Sequence, residues 1–284
     1  MLETTSLGPK GKSNPFAHAF YVHTIANFKQ SSDTNASGAL EQNHKFLIDT
    51  FLKYSNIEEK LLATFNLNFK DNALLMRAFT HSSYAHEAKV KVKSYERLEF
   101  YGDSVLGAFV TKNLFLNFDE MNEGQLSKLR SALVNEESLS GLANFLGLSS
   151  FLIVGKGELE EEVNSGILCD LFESLLGAVA IDQGVDRADE YLNTVLSMYE
   201  KEVGEKFFCE KKLIDFDPKT KLQEETLARF KSLPEYRATK IGQEFKIELY
   251  VNEQYICELM SHSKKNGTKE IAKKCLKNNL LDRL

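Results

Sequence analysis

Hydrophobic positions recur with helical spacing through most of the chain, from about Lys45 to about Glu202. Apolar residues three and four positions apart line one face of a helix. This spacing predicts six helices, over 57–65, 72–79, 95–118, 123–145, 169–182 and 187–202. Asp71 stands where the N-cap of the second helix is expected, and the fifth helix is apolar almost all round, which is typical of a buried central helix. Strand-like alternation is not convincing anywhere in this region, so the pattern predicts an all-α domain.

The hydrophobic pattern changes after Phe216. It predicts a helix over 218–230, strands over 236–241, 245–252 and 254–261, and a last helix over 268–281. Thr268 is the predicted N-cap of that last helix. The order α-β-β-β-α within so short a segment predicts a small α+β domain, with both helices on one face of the sheet.

Shifts in composition predict the domain boundaries. Residues 1–44 are rich in small and polar side chains, and we predict a poorly ordered N-terminal extension there, in which only residues 17–28 show a short helical spacing. Residues 45–203 form the predicted helical domain, 204–216 a linker, and 217–284 the α+β domain.

The overall composition narrows the class of protein. Hydrophobic residues make up 43% of the chain and charged residues 27%, as in ordinary globular proteins. No apolar run approaches the roughly 20 residues of a membrane span, and the N-terminus lacks the apolar stretch of a secretory signal. The four cysteines are scattered without zinc-ligand spacing, which favours reduced thiols and a cytoplasmic location.

The net charge of −6 is divided unevenly along the chain. Residues 217–284 carry +4 and the remaining residues carry −10. A basic C-terminal domain on an acidic body suggests that this domain contacts a polyanion. Two domains with different but ordinary surfaces are the alternative, which charge alone leaves open.

The densest chemical signal is the segment YERLEFYGDSVLGAF, residues 95–109. At about 100° per residue, Glu96, Glu99 and Asp103 fall on one narrow stripe of a helix. Like charges at this spacing destabilise a helix, and the flanking positions are apolar. A solvated stripe paired with Arg97 is the alternative to a functional site.

A second pair of acids lies on the predicted central helix, in CDLFESLLGAVAI, residues 169–181. Asp170 and Glu173 are one turn apart, and burying unpaired carboxylates is costly. Either a Lys or Arg from another helix or a metal ion therefore neutralises them. The two acidic helices can meet across small residues, namely Gly102, Gly107, Gly177 and Ala178. Four carboxylates gathered there would select Mg²⁺ or Mn²⁺, which indicates phosphodiester hydrolysis.

At these residues the chain resembles the ribonuclease III family. ERLEFYGDSVLG is similar to the family's signature segment, with Tyr101 in place of the usual leucine, and DLFESLLGA is similar to its distal acidic motif. FTHSSYAHE (79–87) and NEGQLSKLRSALV (122–134) also match recurrent stretches in the family's order. The likeness extends from about residue 45 to residue 284.

The resemblance implies roles for individual residues. The expected metal ligands are Glu99, Asp103, Asp170 and Glu173. Among them, Asp103 and Glu173 are implied to be the catalytic pair. Supporting roles are implied for Glu96 and Glu123, and Phe100 is implied to be a dimer contact that inserts into the partner subunit.

The enzyme implied by the resemblance is a homodimer that depends on Mg²⁺, for which Mn²⁺ can substitute. It would cut double-stranded RNA to 5′-phosphate and 3′-hydroxyl ends with short 3′ overhangs, in rRNA and mRNA processing, without a membrane partner. One alternative is a non-cleaving double-stranded-RNA-binding or scaffold protein on the same fold. Another is a structural dimer whose acidic stripe is only surface.

The C-terminal domain resembles a double-stranded-RNA-binding domain through DPKTKLQE, LPEYR and GTKEIAKKCLKNNLL. The RNA contacts implied by this resemblance are Thr220, Gln223, Glu224, Lys264, Lys265, Lys269 and Lys273. A solvated lysine face is the alternative. KIGQEF lacks the Gly-Pro-x-His loop common in such domains, and Glu270 stands where a lysine is usual, so we expect looser RNA binding.

Other residues near the motifs are predicted to be structural. His81 and His86 are expected to hold a helix junction, and Cys169 to be a small buried residue. Glu160, Glu161 and Glu162 stand where the family commonly has cations. Because glutamates facing RNA are unfavourable, we predict that this loop points away from the RNA or is mobile.

Overall fold

The computed structural model describes Phe20, Tyr21, Thr24 and residues 36–88, 91–159 and 162–284. The chain divides into two compact units. The first runs to Glu120 and continues over Leu133–Phe207, and the second consists of Met121–Ala132 and Phe208–Leu284.

The described part of the first unit is built from helices joined by short connections, which confirms the predicted all-α class. One further helix, α6, lies almost wholly in the second unit and ends in the first. The helices up to residue 203 are α1 (Ala36–Ser55), α2 (Ile57–Phe65), α3 (Asn72–Ala78), α4 (Ser82–Glu87), α5 (Glu96–Asn117), α6 (Glu123–Leu133), α7 (Glu136–Leu146), α8 (Ser165–Gln183) and α9 (Val185–Val203). Asp71 is the N-cap of α3, as predicted, because its Oδ1 accepts hydrogen bonds from the backbone N–H groups of Ala73 and Leu74.

The predicted single helix over 123–145 is wrong, since α6 and α7 are separate helices. Asn135 has an extended backbone, and its Oδ1 accepts a hydrogen bond from the backbone N–H of Ser138 at 2.9 Å. This N-cap begins a new helix. The apolar spacing continues on both sides of the break, so periodicity alone did not reveal it.

Helix α1 starts at Ala36, inside the segment predicted as an N-terminal extension, and both Phe20 and Thr24 are buried. Tyr84 on α4 accounts for this burial. Its ring lies 5.7 Å from that of Phe20, and its hydroxyl donates to Thr24 Oγ1 at 3.2 Å. In addition, the hydroxyl of Tyr21 donates to Glu87 Oε2 at 3.0 Å. The other positions of the predicted 17–28 helical stretch lie outside the described residues.

Helix α8 is the centre of the first unit, and every residue of Leu171–Ala180 is buried. It packs most extensively against α5. A Cβ atom at Gly102 would lie 1.8 Å from the carbonyl oxygen of Glu173, and one at Gly177 would lie 2.2 Å from that of Leu98. The two backbones therefore touch at the predicted glycine pair. Gly107, however, has no neighbouring atom within 4 Å of such a Cβ, so its predicted place in the crossing is wrong.

The second unit contains a three-stranded antiparallel sheet in the order β1-β2-β3. Its elements beyond residue 208 are α10 (Lys211–Phe216), α11 (Pro218–Phe230), β1 (Pro234–Ile241), β2 (Glu244–Val251), β3 (Gln254–Ser261) and α12 (Lys264–Lys277). The core joins both long helices to the sheet, with Leu222, Ile247, Leu249 and Ile271 fully buried. The predicted α+β class and element order are confirmed, and α10 occupies part of the predicted linker.

Helix α12 begins earlier than predicted. Ser263, not Thr268, is its N-cap, because Ser263 Oγ accepts a hydrogen bond from the backbone N–H of Asn266 at 3.4 Å. Thr268 is buried inside the helix and donates to the carbonyl oxygen of Lys265 at 2.9 Å. As a result, Lys264 and Lys265 lie in the first turn of the helix. Among the described residues, no helix has the length and apolarity needed to cross a membrane.

Candidate active site

The crossing of α5 and α8 places the four predicted carboxylates in one region of the first unit. Glu99 and Asp103 are one turn apart on α5, and Asp170 and Glu173 are one turn apart on α8. Glu173 is buried, with 8% of its surface exposed, whereas Asp103 is exposed. Because the glycine pair presses the backbone of Glu173 against α5, this carboxylate has little freedom to leave the crossing.

Asp170 and Glu173, the pair on α8, lie close together. An oxygen of each lies within 4.8 Å of the other and of the Cys169 sulfur. Two oxygen donors at this separation fit a hard divalent cation. Cys169 is half-buried and not buried as predicted. Its thiol is a poorer ligand for such an ion, since desolvation raises its pKa to about 12, with a further rise from the charges of Glu173 and Asp170.

The carboxylates interact strongly enough to alter one another's protonation. Burial raises the pKa of Glu173 to about 8, with further increases from the charges of Asp103, Glu99 and Asp170. The pKa of Glu99 is raised by burial and then by the charges of Asp170, Glu96 and Asp103. Burial also raises the pKa of Asp170, although its hydrogen bond from Tyr95 acts in the opposite direction. The cluster therefore has too much negative charge for its surroundings.

No lysine or arginine neutralises this charge within the described part of the chain, although the charge of His81 acts to lower the pKa of Asp170. The ion pairs there leave all four carboxylates without a Lys or Arg partner, and Arg97 pairs with none of them. The predicted alternative of a salt-bridged surface stripe is therefore not what the structure has. Uncompensated carboxylates on packed helices are the arrangement that a bound divalent cation stabilises.

Three residues that sequence reasoning did not assign to the site surround Asp170. The buried hydroxyl of Tyr95 donates to Asp170 Oδ2 at 3.3 Å. The ring of His81 lies 5.7 Å from that of Tyr95, and the charge of Glu136, at the start of α7, further raises the pKa of Asp170. Burial, followed by the charge of Asp170, raises the pKa of Tyr95, so its hydroxyl remains a neutral donor. Spacing along the sequence carries no signal for these contacts.

The predicted supporting residues have different environments. Glu96 is exposed on α5 and accepts a hydrogen bond from Ser94 Oγ at 2.9 Å. Glu123 belongs to the second unit, where Ser127 Oγ donates to its Oε1 at 2.9 Å. Phe100 is 76% exposed.

Of the two histidines predicted to hold a helix junction, His81 does so, whereas the contact of His86 lies within α4 itself. His81 caps α4, because its Nδ1 accepts a hydrogen bond from the backbone N–H of Ser83 at 3.2 Å. His86 Nδ1 lies 2.7 Å from the carbonyl oxygen of Ser82.

The acidic loop is only partly described, since Glu160 and Glu161 lie outside the described residues. Glu158 Oε2, just before them, lies 3.3 Å from His81 Nδ1. This end of the loop therefore faces the residues around Asp170.

In the second unit, the predicted RNA contacts fall into two groups. Lys264, Lys265 and Lys269 are exposed on α12, and none forms an ion pair with a described residue. Lys273 pairs with Asp215 at 2.7 Å, and Glu224 pairs with Lys128 at 3.1 Å. Thr220 and Gln223 both lie on α11.

Comparison with known proteins connects this geometry to a family. The family model described as Ribonuclease-III-like matches residues 71–199. Ribonuclease 3 of Borreliella burgdorferi is 36% identical over 226 residues, which cover 77% of this chain and 89% of that protein. Ribonuclease 3 of Streptococcus pyogenes serotype M2 is 36% identical over 231 residues, covering 78% of this chain and 96% of that protein.

A solved structure is also similar in sequence. The nuclease domain of ribonuclease III from Campylobacter jejuni, in a study of a region involved in dimer formation, is 39% identical. It covers 50% of this chain and 96% of its own, with a TM-score of 0.45. The two curated relatives show which family the chain belongs to. They confirm the predicted enzyme class and not the non-cleaving alternative. The chain belongs to the ribonuclease III family and is an endoribonuclease.

Proposed function

We propose that this endoribonuclease cleaves double-stranded RNA in a reaction that depends on Mg²⁺, with Mn²⁺ able to substitute. The products are 5′-phosphate and 3′-hydroxyl ends with short 3′ overhangs. The observation that carries the proposal is the set of four carboxylates without a cationic partner where α5 and α8 cross. Oxygen ligands of this kind suit hard divalent ions.

The carboxylates themselves make the reaction metal-dependent. Asp170 and Glu173 would hold the cation from α8, and Glu99 and Asp103 from α5. Bound divalent ions supply an activated water and stabilise the leaving oxygen. Without a counter-charge, Glu173 keeps its proton up to a pH of about 8, and the other carboxylates repel RNA phosphates. We assign exposed Asp103 and buried Glu173 as the catalytic pair, as the family resemblance implies.

The proposed assembly is a homodimer through the outer face of α5. Large apolar side chains are exposed near both ends of α5, with Phe100 76% exposed near its start and Phe115 70% and Leu116 62% exposed near its end. Aromatic side chains are enriched at protein interfaces, and a second copy of this chain is the partner that we propose. Glu96 on the same helix would support this contact and the site, and Glu123 would support cleavage.

Duplex RNA would be bound by the second unit. Lys264 and Lys265 stand in the first turn of α12, where the helix dipole adds to their positive charge and favours phosphate. Together with Lys269 they would contact the RNA backbone, and Thr220 and Gln223 would contact the minor groove, which suits recognition by shape. Lys273 and Glu224 would contribute less, since each is held in an ion pair.

The proposed location is the cytoplasm, and the proposed targets are rRNA and mRNA precursors. The four cysteines are free, which supports a reducing compartment. The targets rest on the family resemblance alone.

Substitution of Glu173 tests the proposed chemistry. Glu173→Gln keeps the shape of the side chain but removes one negative charge, so cleavage of a labelled RNA duplex should fall at least about 100-fold in low Mg²⁺. Duplex binding, measured by gel shift in Ca²⁺, should persist or tighten slightly. Higher Mg²⁺ or added Mn²⁺ should restore part of the rate.

Glu59→Gln is the matched control, because Glu59 is exposed on α2 and belongs to no part of the site. It should cleave at the wild-type rate. Near wild-type cleavage by Glu173→Gln in low Mg²⁺ would remove Glu173 from the catalytic pair. Cleavage by the wild-type protein in excess EDTA would contradict the metal dependence itself.

A further inference from the structure

Tyr95 connects the start of α5 to a carboxylate on α8. It immediately precedes α5 and is 2% exposed. Its hydroxyl donates to Asp170 Oδ2 at 3.3 Å. Within the described part of the chain, this is the one hydrogen bond that the Asp170 carboxylate accepts. The orientation of that carboxylate therefore depends on a single donor.

The tyrosine is itself held in place by groups outside the four-carboxylate cluster. Its backbone N–H donates to the carbonyl oxygen of Thr80 at 2.9 Å, and its ring lies against that of His81. The His81 ring is fixed in turn, because its Nδ1 lies 2.8 Å from Ser83 Oγ. Ser83 Oγ accepts a hydrogen bond from the backbone N–H of Gly155 at 2.9 Å. A hydroxyl supported in this way is a fixed donor rather than a mobile one.

We propose that Tyr95 is a positioning residue, which holds one oxygen of Asp170 so that the other is directed to the cation. The inference rests on the proposed metal-dependent function and deepens it. A carboxylate has two equivalent oxygens and rotates about χ2 when neither is held. Removal of the hydroxyl leaves Asp170 in place but lets its carboxylate rotate, so the variant should bind the cation less tightly. Groups that orient metal ligands typically change metal affinity or activity by about 10–100-fold when they are removed.

Tyr95→Phe isolates this hydroxyl, because the ring that packs on His81 remains. The matched control is Tyr191→Phe. Tyr191 is also buried in the first unit, at 1% exposure, and its hydroxyl has no hydrogen-bond partner among the described residues. Both variants remove the same atom from a buried tyrosine, but only one of these atoms contacts a carboxylate of the site.

The primary measurement is Mn²⁺ binding to the full chain without RNA, followed by electron paramagnetic resonance. We expect the Kd for Mn²⁺ to rise about 10-fold in Tyr95→Phe and to stay at the wild-type value in Tyr191→Phe. Two further measurements separate positioning from a general loss of structure. The Mg²⁺ concentration for half-maximal cleavage should rise by a similar factor, while kcat at saturating Mg²⁺ should match that of Tyr191→Phe.

The outcomes distinguish this inference from the proposed function. An unchanged Kd for Mn²⁺ in Tyr95→Phe, with normal binding by the wild-type protein, would overturn the role of Tyr95 and leave the proposed function standing. A lower kcat at saturating Mg²⁺ with an unchanged Kd would overturn it as well. Failure of the wild-type protein to bind Mn²⁺, together with cleavage in EDTA, would instead overturn the proposed function.

Discussion

The buried carboxylate of Glu173 lowers the stability of the first unit but serves the proposed function. Its backbone lies at the tightest point of the helix crossing, and its side chain is buried beside three other acids. An apolar residue there would stabilise the fold. A charged cluster that destabilises its own scaffold is typical of a functional site.

This conflict predicts how the stability of the metal-free protein depends on pH. The folded state raises the pKa of Glu173 from 4.5 to about 8, so the folded state binds this proton more tightly than the unfolded state does. The stabilisation is complete below a pH of about 4.5 and is lost as the pH rises through about 8. Raising the pH from 6 to 9 should therefore lower the free energy of unfolding of the wild type by on the order of 1–3 kcal/mol more than that of Glu173→Gln.

Urea unfolding in EDTA at several pH values measures this difference. Glu59→Gln provides the control, since its exposed carboxylate should leave the wild-type pH dependence unchanged. Parallel curves for the wild type and Glu173→Gln would show that Glu173 does not titrate in this range.

The four carboxylates show which site residues can be predicted from their spacing along a helix. Glu99, Asp103, Asp170 and Glu173 were predicted because each pair lies one turn apart among apolar neighbours. Tyr95, His81 and Glu136 come from separate segments and reach Asp170 only in the folded chain. Their identities follow from tertiary packing, which a single sequence does not encode in a readable pattern.

At the scale of elements, the crossing of α5 and α8 depends on two glycines. Gly102→Ala places a Cβ atom 1.8 Å from the carbonyl oxygen of Glu173. Because backbone atoms cannot rotate away, the helices must separate, at a cost of about 1–3 kcal/mol or more. Gly107→Ala on the same helix meets nothing within 4 Å and should stabilise the chain by about 0.4–1 kcal/mol.

Chemical denaturation of both variants measures these opposite changes in the free energy of unfolding. Gly102→Ala should also lose cleavage activity, because separation of the helices pulls the two pairs of carboxylates apart. Equal stability changes for the two alanine variants would mean that the helices do not cross as tightly as described.

Element boundaries were predicted well only where periodicity and capping agree. α2 and the Asp71 cap of α3 were confirmed, since the apolar spacing stops where the cap stands. The break at Asn135 and the early start of α12 at Ser263 were missed. In both places one side chain hydrogen bond decides the boundary, and the hydrophobic pattern does not record it.

The exposed side chain of Phe100 on α5 predicts how a substitution there affects dimer formation. In the proposed homodimer, Phe100→Ala removes an apolar side chain from a packed contact, which costs about 3–5 kcal/mol if the site is fully buried. Sedimentation equilibrium should show the variant dissociating at higher protein concentrations than the wild type. Leu62→Ala is the control, since Leu62 is 46% exposed on α2. A wild-type monomer at micromolar concentration would contradict the homodimer.

At the scale of the whole molecule, charge divides the chain into parts with different roles. Residues 217–284 carry +4, while the remaining residues carry −10 and include the acidic site. A polyanion approaching the acidic part is repelled unless cations compensate it. The basic part should therefore supply most of the electrostatic attraction to RNA.

That division can be tested with three lysines in the full-length protein. Lys264, Lys265 and Lys269 are exposed on α12 without an ion-pair partner among the described residues. Changing all three to alanine should weaken duplex binding and make its dependence on salt shallower, because fewer counterions are released on binding. The logarithmic slope should fall by roughly 0.7–0.9 for each RNA phosphate that the variant no longer neutralises. Fluorescence anisotropy in Ca²⁺ at several KCl concentrations gives both quantities.

The control for this variant changes the same net charge elsewhere. Lys70, Lys201 and Lys206 are exposed and lie outside the second unit. Their replacement by alanine should weaken binding slightly through the overall charge but leave the slope close to that of the wild type, since the slope reflects the phosphates that are neutralised locally. If the two triple variants change the slope equally, the start of α12 makes no specific contact with the RNA backbone, and the attraction comes from net charge alone.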